Sequence, residues 1–439
     1  MADISTFPFI ITEHVIDAQY IREYPNATVD SNPSLKLVLK KYTPKNNPNP
    51  QLGDVTIIGA HGCGFPKELY EPLWEDLLAR SEKDGLRIRS IWIADVSNLG
   101  ASGVENESSL GNDPSWIDHS RDLLHMINHF REEMPQPIVG VGHSMGAGQL
   151  VLLSLLHPRL FTSLSLIEPV IAPDILSAKG PLLAIVSLKR RDTWKSRSAA
   201  IEAAHKTYKR WDKRVLHRWI LHGYREIPTT HEARSNNSNA TESDSPVMLV
   251  SSKNQEVLQY LRPNPSNHRP VGEGEDNDAS DKPAHDSLLY PDIIGPPHAT
   301  SQFYRFEPIF AWKMLKHVRP PVLYVLGQQS PLFSPEDRAR TLNRTGRGIG
   351  GSGGIKASKV EEKIIKGSHQ LPLERVVETA AAVGPWISKS LQTWRENEVR
   401  IAKGWIQQPL DKRLEGMAEW VPMLEKLGDL EVSKRDSRL

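Results

Sequence analysis

The sequence predicts an α/β fold with a mostly parallel central sheet, helices on both faces and a helical cap insertion. Three observations predict it. Short apolar runs alternate with amphipathic stretches from about residue 35 to 170. The same alternation returns after residue 320, on the far side of a long polar insertion. Within the first half, a Gly-x-Ser-x-Gly turn joins an apolar strand to a helix. Strands that alternate with helices pair in parallel, and right-handed crossovers place the helices on both faces.

Taken in order, Leu35–Tyr42 alternates like a half-buried strand, while Val55–Ala60 and Ile88–Val96 are continuous apolar runs of buried-strand length. Trp116–Met134 carries Ile117, Leu124, Ile127 and Phe130 at helical spacing. Pro137–Gly142 and Leu164–Ile167 complete the first half. In the second half Val322–Leu326 and Val360–Ile365 read as strands and Leu373–Leu391 as a helix. This gives a first core segment over 1–170, a cap insertion over 171–305, a second core segment over 306–397 and a helical tail over 398–439. Within the insertion, Arg190–Gly223 is helix-like and rich in Lys, Arg and Trp. Thr229–Ser245 and Arg262–Asp286 are too polar to bury enough surface to order firmly. A surface excursion with no role at the site is the alternative reading of this insertion. The glycine-rich run Gly346–Gly354 lacks the Lys-Ser/Thr pair of a nucleotide loop and reads as a flexible or tightly turned connection.

Composition narrows the function. The 439 residues hold 54 Lys+Arg against 53 Asp+Glu, a net charge of +1, so no global field steers nucleic acid. Cys63 is the sole cysteine, which excludes an intramolecular disulfide and a cysteine-based metal site and fits a reducing compartment. No signal-peptide pattern opens the chain and no apolar stretch is long enough to span a bilayer, so a soluble protein is expected. The chain ends Ser437-Arg438-Leu439, a conservative variant of the Ser-Lys-Leu peroxisomal address. It predicts a peroxisomal import receptor as a partner and the peroxisomal matrix as the location.

The chemistry centres on Gly142-His143-Ser144-Met145-Gly146. A strand-to-helix elbow strains its serine and leaves no room for side chains beside it, hence Gly142 and Gly146. Serine is a weak nucleophile until a base takes its proton. Of sixteen histidines, His369 directly follows a strand near the end of the core, where the order nucleophile, acid, base places the base. The turn after Val322–Leu326 would ordinarily hold the acid, but three residues past its glycine stands Ser330. One strand earlier, Glu168 sits at a strand end, 24 residues beyond Ser144. Glu168 is therefore the candidate acid, with Asp337 in reserve. For the oxyanion, the Met145 amide follows the nucleophile, and the loop His61-Gly62-Cys63-Gly64 offers the Cys63 amide, with Gly64 as the alternative. The Cys63 thiol has no base placed for it.

These residues resemble the α/β-hydrolase superfamily from about 35 to 395. More narrowly, Phe9–His14, Ile21–Pro25, Pro66–Trp74, Asp118–Phe130 and Gly348–Gly354 resemble fungal secondary-metabolite hydrolases of the mycophenolic acid and host-selective-toxin pathways. The resemblance implies a Ser–acid–His triad on Ser144, Glu168 and His369, with Glu168 where the mycophenolate-type enzyme has aspartate. It implies hydrolysis through an acyl-enzyme without metal or organic cofactor. The expected substrate is a small acyl compound, a CoA thioester first and a carboxylic or lipid ester second. A peroxisomal setting favours the thioester. The basic stretch from Lys189 to Arg214 could meet CoA phosphates or simply be a solvated face. A non-catalytic ligand-binding module is the third reading. Oligomeric state is left open.

Overall fold

The computed structural model describes residues 7–30, 34–174, 179–227, 245–263, 288, 303–414 and 420–436. Most of the polar strings at 229–245 and 262–286 lie outside the described residues, as does the Ser437-Arg438-Leu439 tripeptide. The chain separates into two compact units, Met1–Ser390 and Leu391–Leu439.

The first unit is built on an eight-stranded sheet. Its strands are β1 (Phe9–Asp17), β2 (Lys36–Pro44), β3 (Val55–Ala60), β4 (Ile88–Ala94), β5 (Ile138–His143), β6 (Ser163–Ile167), β7 (Val322–Gly327) and β8 (Val360–Ile365), in the spatial order β1-β2-β4-β3-β5-β6-β7-β8. β1 pairs antiparallel with β2 from Phe9 opposite Pro44 to Asp17 opposite Lys36, and β2 is antiparallel to β4; the remaining pairs are parallel. Strands β3, β5 and β6 are buried along their whole length, the pattern of a sheet covered on both faces.

The covering helices in the first half are α1 (Glu71–Ser81), α2 (Gly100–Glu105), α3 (Trp116–His129) and α4 (Met145–Leu156). Ser115 caps α3 by accepting from the Ile117 amide. The helix stops at His129, short of the expected Met134, and a turn carries the chain into β5. α4 is buried from Met145 to Ser154, so its hydrophobicity is not one-sided: it packs under the sheet and against α3.

Between β6 and β7 lie α5 (Gly180–Lys189), α6 (Arg197–Thr207), α7 (Lys213–His222), α8 (Lys253–Tyr260) and α9 (Glu307–Met314), with a small three-stranded sheet of Thr193–Trp194, Val247–Leu249 and Tyr224–Glu226. The single helix-like stretch expected over Arg190–Gly223 is thus a short strand and two helices, α7 being capped by the Asp212 side chain. Its aromatic residues form the core of this layer. Tyr208 stacks on Trp211 at 4.0 Å between ring centroids, and Trp219 meets both edge-on. α10 (Pro335–Arg344) follows β7, and α11 (Val376–Ile401) follows β8, running ten residues beyond the expected end. Strand β1, absent from the periodicity reading, forms the sheet edge; its burial does not alternate, which is why a period-two search passes over it.

The second unit is helical where described, with Leu410–Leu414 and Val421–Asp436 following the end of α11. No described helix is long and apolar enough to cross a membrane.

Candidate active site

Parallel strands deliver their C-terminal ends to one edge of the sheet, and the singled-out side chains collect there. Ser144 directly follows β5 with φ 55° and ψ −120°, a conformation unfavourable to any residue with a side chain. The flanking glycines permit it. A Cβ on Gly142 would lie 2.7 Å from the Ala147 Cα, and one on Gly146 would lie 2.4 Å from the Ala60 carbonyl oxygen. The elbow lifts Ser144 Oγ to 2.9 Å from His369 Nε2. His369 Nδ1 is 3.1 Å from Glu168 Oε2. A carboxylate only accepts, so Nδ1 carries the proton and Nε2 is free to accept from the serine hydroxyl.

Glu168 is fully buried at the end of β6, in a left-handed conformation with φ 48°. Its amide donates to the Val325 carbonyl at 2.9 Å, fixing it across the β6–β7 boundary. The carboxylate is then held by two donors besides the imidazole. Oε1 accepts from the Gly327 amide at 2.6 Å, and Oε2 accepts from the Ser330 hydroxyl. Ser330, standing where an acid would ordinarily be, is thus wired to the candidate acid Glu168 one strand away. The reserve acid is elsewhere: Asp337 accepts from Ser334 Oγ at the start of α10 and lies 3.5 Å from Arg340. It makes no contact with His369.

On the other side of Ser144, the loop after β3 carries the expected amides. Among the described residues neither the Cys63 nor the Met145 N–H donates a hydrogen bond, so both are available to an oxyanion. Gly64, at φ 74°, abuts the Glu256 side chain; a Cβ there would lie 2.6 Å from Oε1. The Cys63 thiol is buried, 3.8 Å from the Glu256 carbonyl oxygen, and burial pushes its pKa up, away from nucleophilic thiolate chemistry.

Two residues not singled out in the sequence tie this loop to the elbow. The Gly62 amide donates to the Tyr70 hydroxyl at 2.7 Å, and Tyr70 lies 2.7 Å from His143 Nδ1. His143 Nε2 donates to the His369 carbonyl at 2.9 Å. That bond fixes the tautomer, so the Tyr70 O–H must be the donor to Nδ1. The loop, the elbow and the base loop are thereby joined through two buried side chains. Tyr70 carried a signal only as part of Pro66–Trp74, and His143 only as a variable position inside the pentapeptide.

Burial pushes His143 down to about 3 and His222 down to about 4, and lowers His61 and His119 as well. Asp118, raised by burial to about 7, acts in the opposite sense. Below about pH 6.5 the unfolded chain protonates these histidines while the folded chain does not. Their contribution is therefore complete above that pH and is lost as pH falls toward the folded values. With Asp118 offsetting one of the four, unfolding takes up protons on balance, so stability should fall as the pH drops below about 6.5. Urea unfolding at pH 7.5, 6.5 and 5.5 measures this; a flat stability below pH 6.5 would contradict it.

A narrow cavity opens at Ser144. Its walls are Trp116, Met145, Val170, Leu183, Tyr260 and Pro308, with Arg305 the one charged residue. Leu183 and Tyr260 come from α5 and α8, so the insertion roofs the serine. The Arg305 guanidinium is held by the Pro114 carbonyl and by Glu307, 2.8 and 2.9 Å away. The basic stretch is less free than its sequence suggested. Arg190 pairs with Glu256, Lys206 with Glu202, Arg210 with Glu374, and Arg214 with Asp76. No cluster of three or more His, Cys, Asp or Glu able to hold a metal occurs among the described residues.

Comparison with known proteins agrees with this architecture. The chain is 38% identical over 407 residues to the type I acyl-CoA thioesterase mpaH of Penicillium brevicompactum, covering 90% of this chain and 91% of that protein. It is 37% identical over 412 residues to the protein of the same name from Penicillium roqueforti, with the same coverage. The abhydrolase domain-containing protein ACTT2-2 of Alternaria alternata is 28% identical over 66% of this chain and 99% of its own length. Among solved structures, the peroxisomal alpha-beta-hydrolase Lpx1 of Saccharomyces cerevisiae shares the fold, with a TM-score of 0.64 at 19% identity over 97% of this chain and 98% of that one. Residues 57–383, from β3 to α11, match the alpha/beta hydrolase family, and the chain is a member of that family.

Proposed function

We propose that this hydrolase cleaves acyl-CoA thioesters through an acyl-enzyme on Ser144, in a peroxisomal secondary-metabolite or toxin pathway. The observation that carries the reading is the unbroken relay from Ser144 Oγ through His369 to a buried, doubly anchored Glu168. The thioester substrate is supported by the 37–38% identity to proteins named acyl-CoA thioesterases over nine-tenths of the chain. The peroxisomal setting is supported by Ser437-Arg438-Leu439.

Ser144 Oγ attacks the thioester carbonyl carbon as its proton passes to His369 Nε2. The Cys63 and Met145 amides hold the tetrahedral oxyanion, each such donor being worth ~2.7–4 kcal/mol at the transition state. Collapse breaks the C–S bond, and His369 returns its proton to the CoA sulfur. Water, deprotonated by His369, then attacks the acyl-enzyme, and the free acid leaves with Ser144 restored. Glu168 accepts from His369 Nδ1 and holds the imidazole in its working tautomer. The segment 171–305 acts as a cap, and its apolar contribution to the cavity suits an acyl group.

One observation favours an ester as the second reading: four cations of the basic stretch are already committed to carboxylates, which leaves fewer for CoA phosphates. Thiol release from short, long and aryl-branched acyl-CoAs, run beside matched esters, separates the two. Faster thioester turnover supports the proposal; preferred ester turnover replaces it with a carboxylester hydrolase.

The Tyr70–His143 clamp gives a further prediction. Tyr70→Phe leaves the Gly62 amide and His143 Nδ1 buried without partners, at about 1–3 kcal/mol each. Because that amide adjoins the Cys63 oxyanion donor, kcat should fall about 10–100-fold while KM holds nearly constant. An unchanged kcat in a folded variant would show that the clamp does not set the geometry.

A further inference from the structure

A second concavity, of about 390 Å³, lies away from the serine. Its wall includes Lys316, Arg340, Arg344 and Arg347 around the Trp312 indole, and no carboxylate lines it. In a chain whose net charge is +1, four cations converging on one hollow concentrate positive potential locally. The hollow sits at the end of the sheet opposite Ser144. Lys316 precedes β7 and Arg347 precedes β8, whereas Ser144, Glu168 and His369 follow their strands; a six-residue strand separates the two edges by ~20 Å.

The site is built rather than incidental. Arg344 is held in place, its Nε and Nη2 donating to the Trp312 and Lys313 carbonyls at 2.8 Å each, and its guanidinium lies 4.3 Å above the indole. Nη1 makes no hydrogen bond among the described residues. Arg340 approaches the same ring at 5.4 Å.

The glycine-rich run explains why Arg347 stands here. Most of its amides are spent within the fold: Gly346 donates to the Leu315 carbonyl, Gly348 to that of Lys316 and Ser352 to that of Val318. Of the two connections its sequence allowed, flexible or tightly turned, the run is the tightly turned one. Close approach requires glycine, since a Cβ on Gly351 would lie 2.6 Å from the Lys316 carbonyl oxygen. The result is a rigid platform that sets Arg347 beside Lys316, both exposed and without an ion-pair partner among the described residues. The carboxylate nearest the group is Asp337, 3.5 Å from Arg340 and outside the lining.

We propose that this hollow binds a small polyphosphate anion, a nucleotide or a free pyrophosphate group, with Arg344 as the fixed anchor and Lys316, Arg340 and Arg347 closing on the phosphates. Planar guanidinium groups match phosphate oxygens in pairs, and the volume suits a nucleotide-sized ligand.

Calorimetric titration of the full chain with 3′,5′-ADP, ATP and pyrophosphate at low and physiological salt tests this, comparing the native protein with the double variant Lys316→Glu/Arg347→Glu. Saturable, salt-sensitive binding that weakens at least about tenfold in the variant, with Ser144-dependent turnover unchanged, is the expected result. Tighter binding of the nucleotides than of pyrophosphate would name a nucleotide as the ligand; equal binding would name the phosphate groups alone. No binding at millimolar ligand, or equal affinity in both proteins, would overturn the proposal. Both substituted side chains are exposed, and a thermal melt matching the native protein verifies that the variant is folded.

Discussion

Ser144→Ala is expected to remove essentially all turnover, lowering kcat by about 10⁶-fold, since serine nucleophiles act as a unit with their base. The substitution is unusually clean here. Alanine keeps the Cβ, so the strain at φ 55° is the same in both proteins. Only the hydroxyl is lost, and its partner His369 retains about a fifth of its side-chain exposure, enough for water to replace the bond. The melting temperature should therefore stay close to that of the native protein. Residual catalysis from the amides of Cys63 and Met145 would keep the variant about 10³–10⁴-fold above the uncatalysed rate. Thiol release measured on both proteins decides the matter. Turnover that survives in a folded Ser144→Ala protein would remove the acyl-enzyme from the mechanism.

Legibility in the sequence followed how local each constraint is. The elbow is a local object: strand, two obligatory glycines and helix follow one another, so Ser144 is visible in ten residues. His369 and Glu168 are visible as strand ends, because a parallel sheet sends every C-terminal end to one edge. What makes them meet is long-range. Ser330 donates to Glu168 across 162 positions of chain, and Tyr70 reaches His143 across 73. Neither spacing has a sequence signature. Ser330 read as a missing acid when its role in the structure is to donate to the acid. The cap stretch was legible only in part. Lys189, Arg191, Lys195, Lys209 and Lys213 are exposed, as a solvated face requires, but the carboxylates Asp76 and Glu374 that pair with Arg214 and Arg210 lie in distant core segments with no sequence signature. The edge strand β1 was hidden because one face of an edge is solvated and the other only partly covered, which blurs the alternation.

The second large effect is expected at Glu168. Glu168→Gln should lower kcat by about 10⁴-fold, although it preserves shape and nearly preserves volume. The reason is the orientation forced on the new amide. At the Oε1 position the Gly327 amide donates at 2.6 Å, so that position must remain an acceptor. The glutamine oxygen is thereby fixed beside Gly327, and its NH₂ group takes the Oε2 position facing His369 Nδ1. A donor there makes Nδ1 the acceptor and moves the imidazole proton to Nε2, the nitrogen that must receive the Ser144 proton. The base is present but in the wrong tautomer. Ser330 adapts without penalty, since its hydroxyl can rotate to accept from the new NH₂ group. Ser330→Ala, by contrast, removes one of the two donors that hold the carboxylate besides His369, and should cost about 1.5–3 kcal/mol at most. Glu168→Asp keeps the charge and the tautomer but shortens the reach by one methylene. It should fall between the two, because the carboxylate cannot meet Gly327 and His369 at once without a shift of the β6 terminus. The predicted order of kcat is native, Ser330→Ala, Glu168→Asp, Glu168→Gln. Placing Glu168→Gln above Glu168→Asp would contradict the tautomer argument and return the assignment of the acid to another residue.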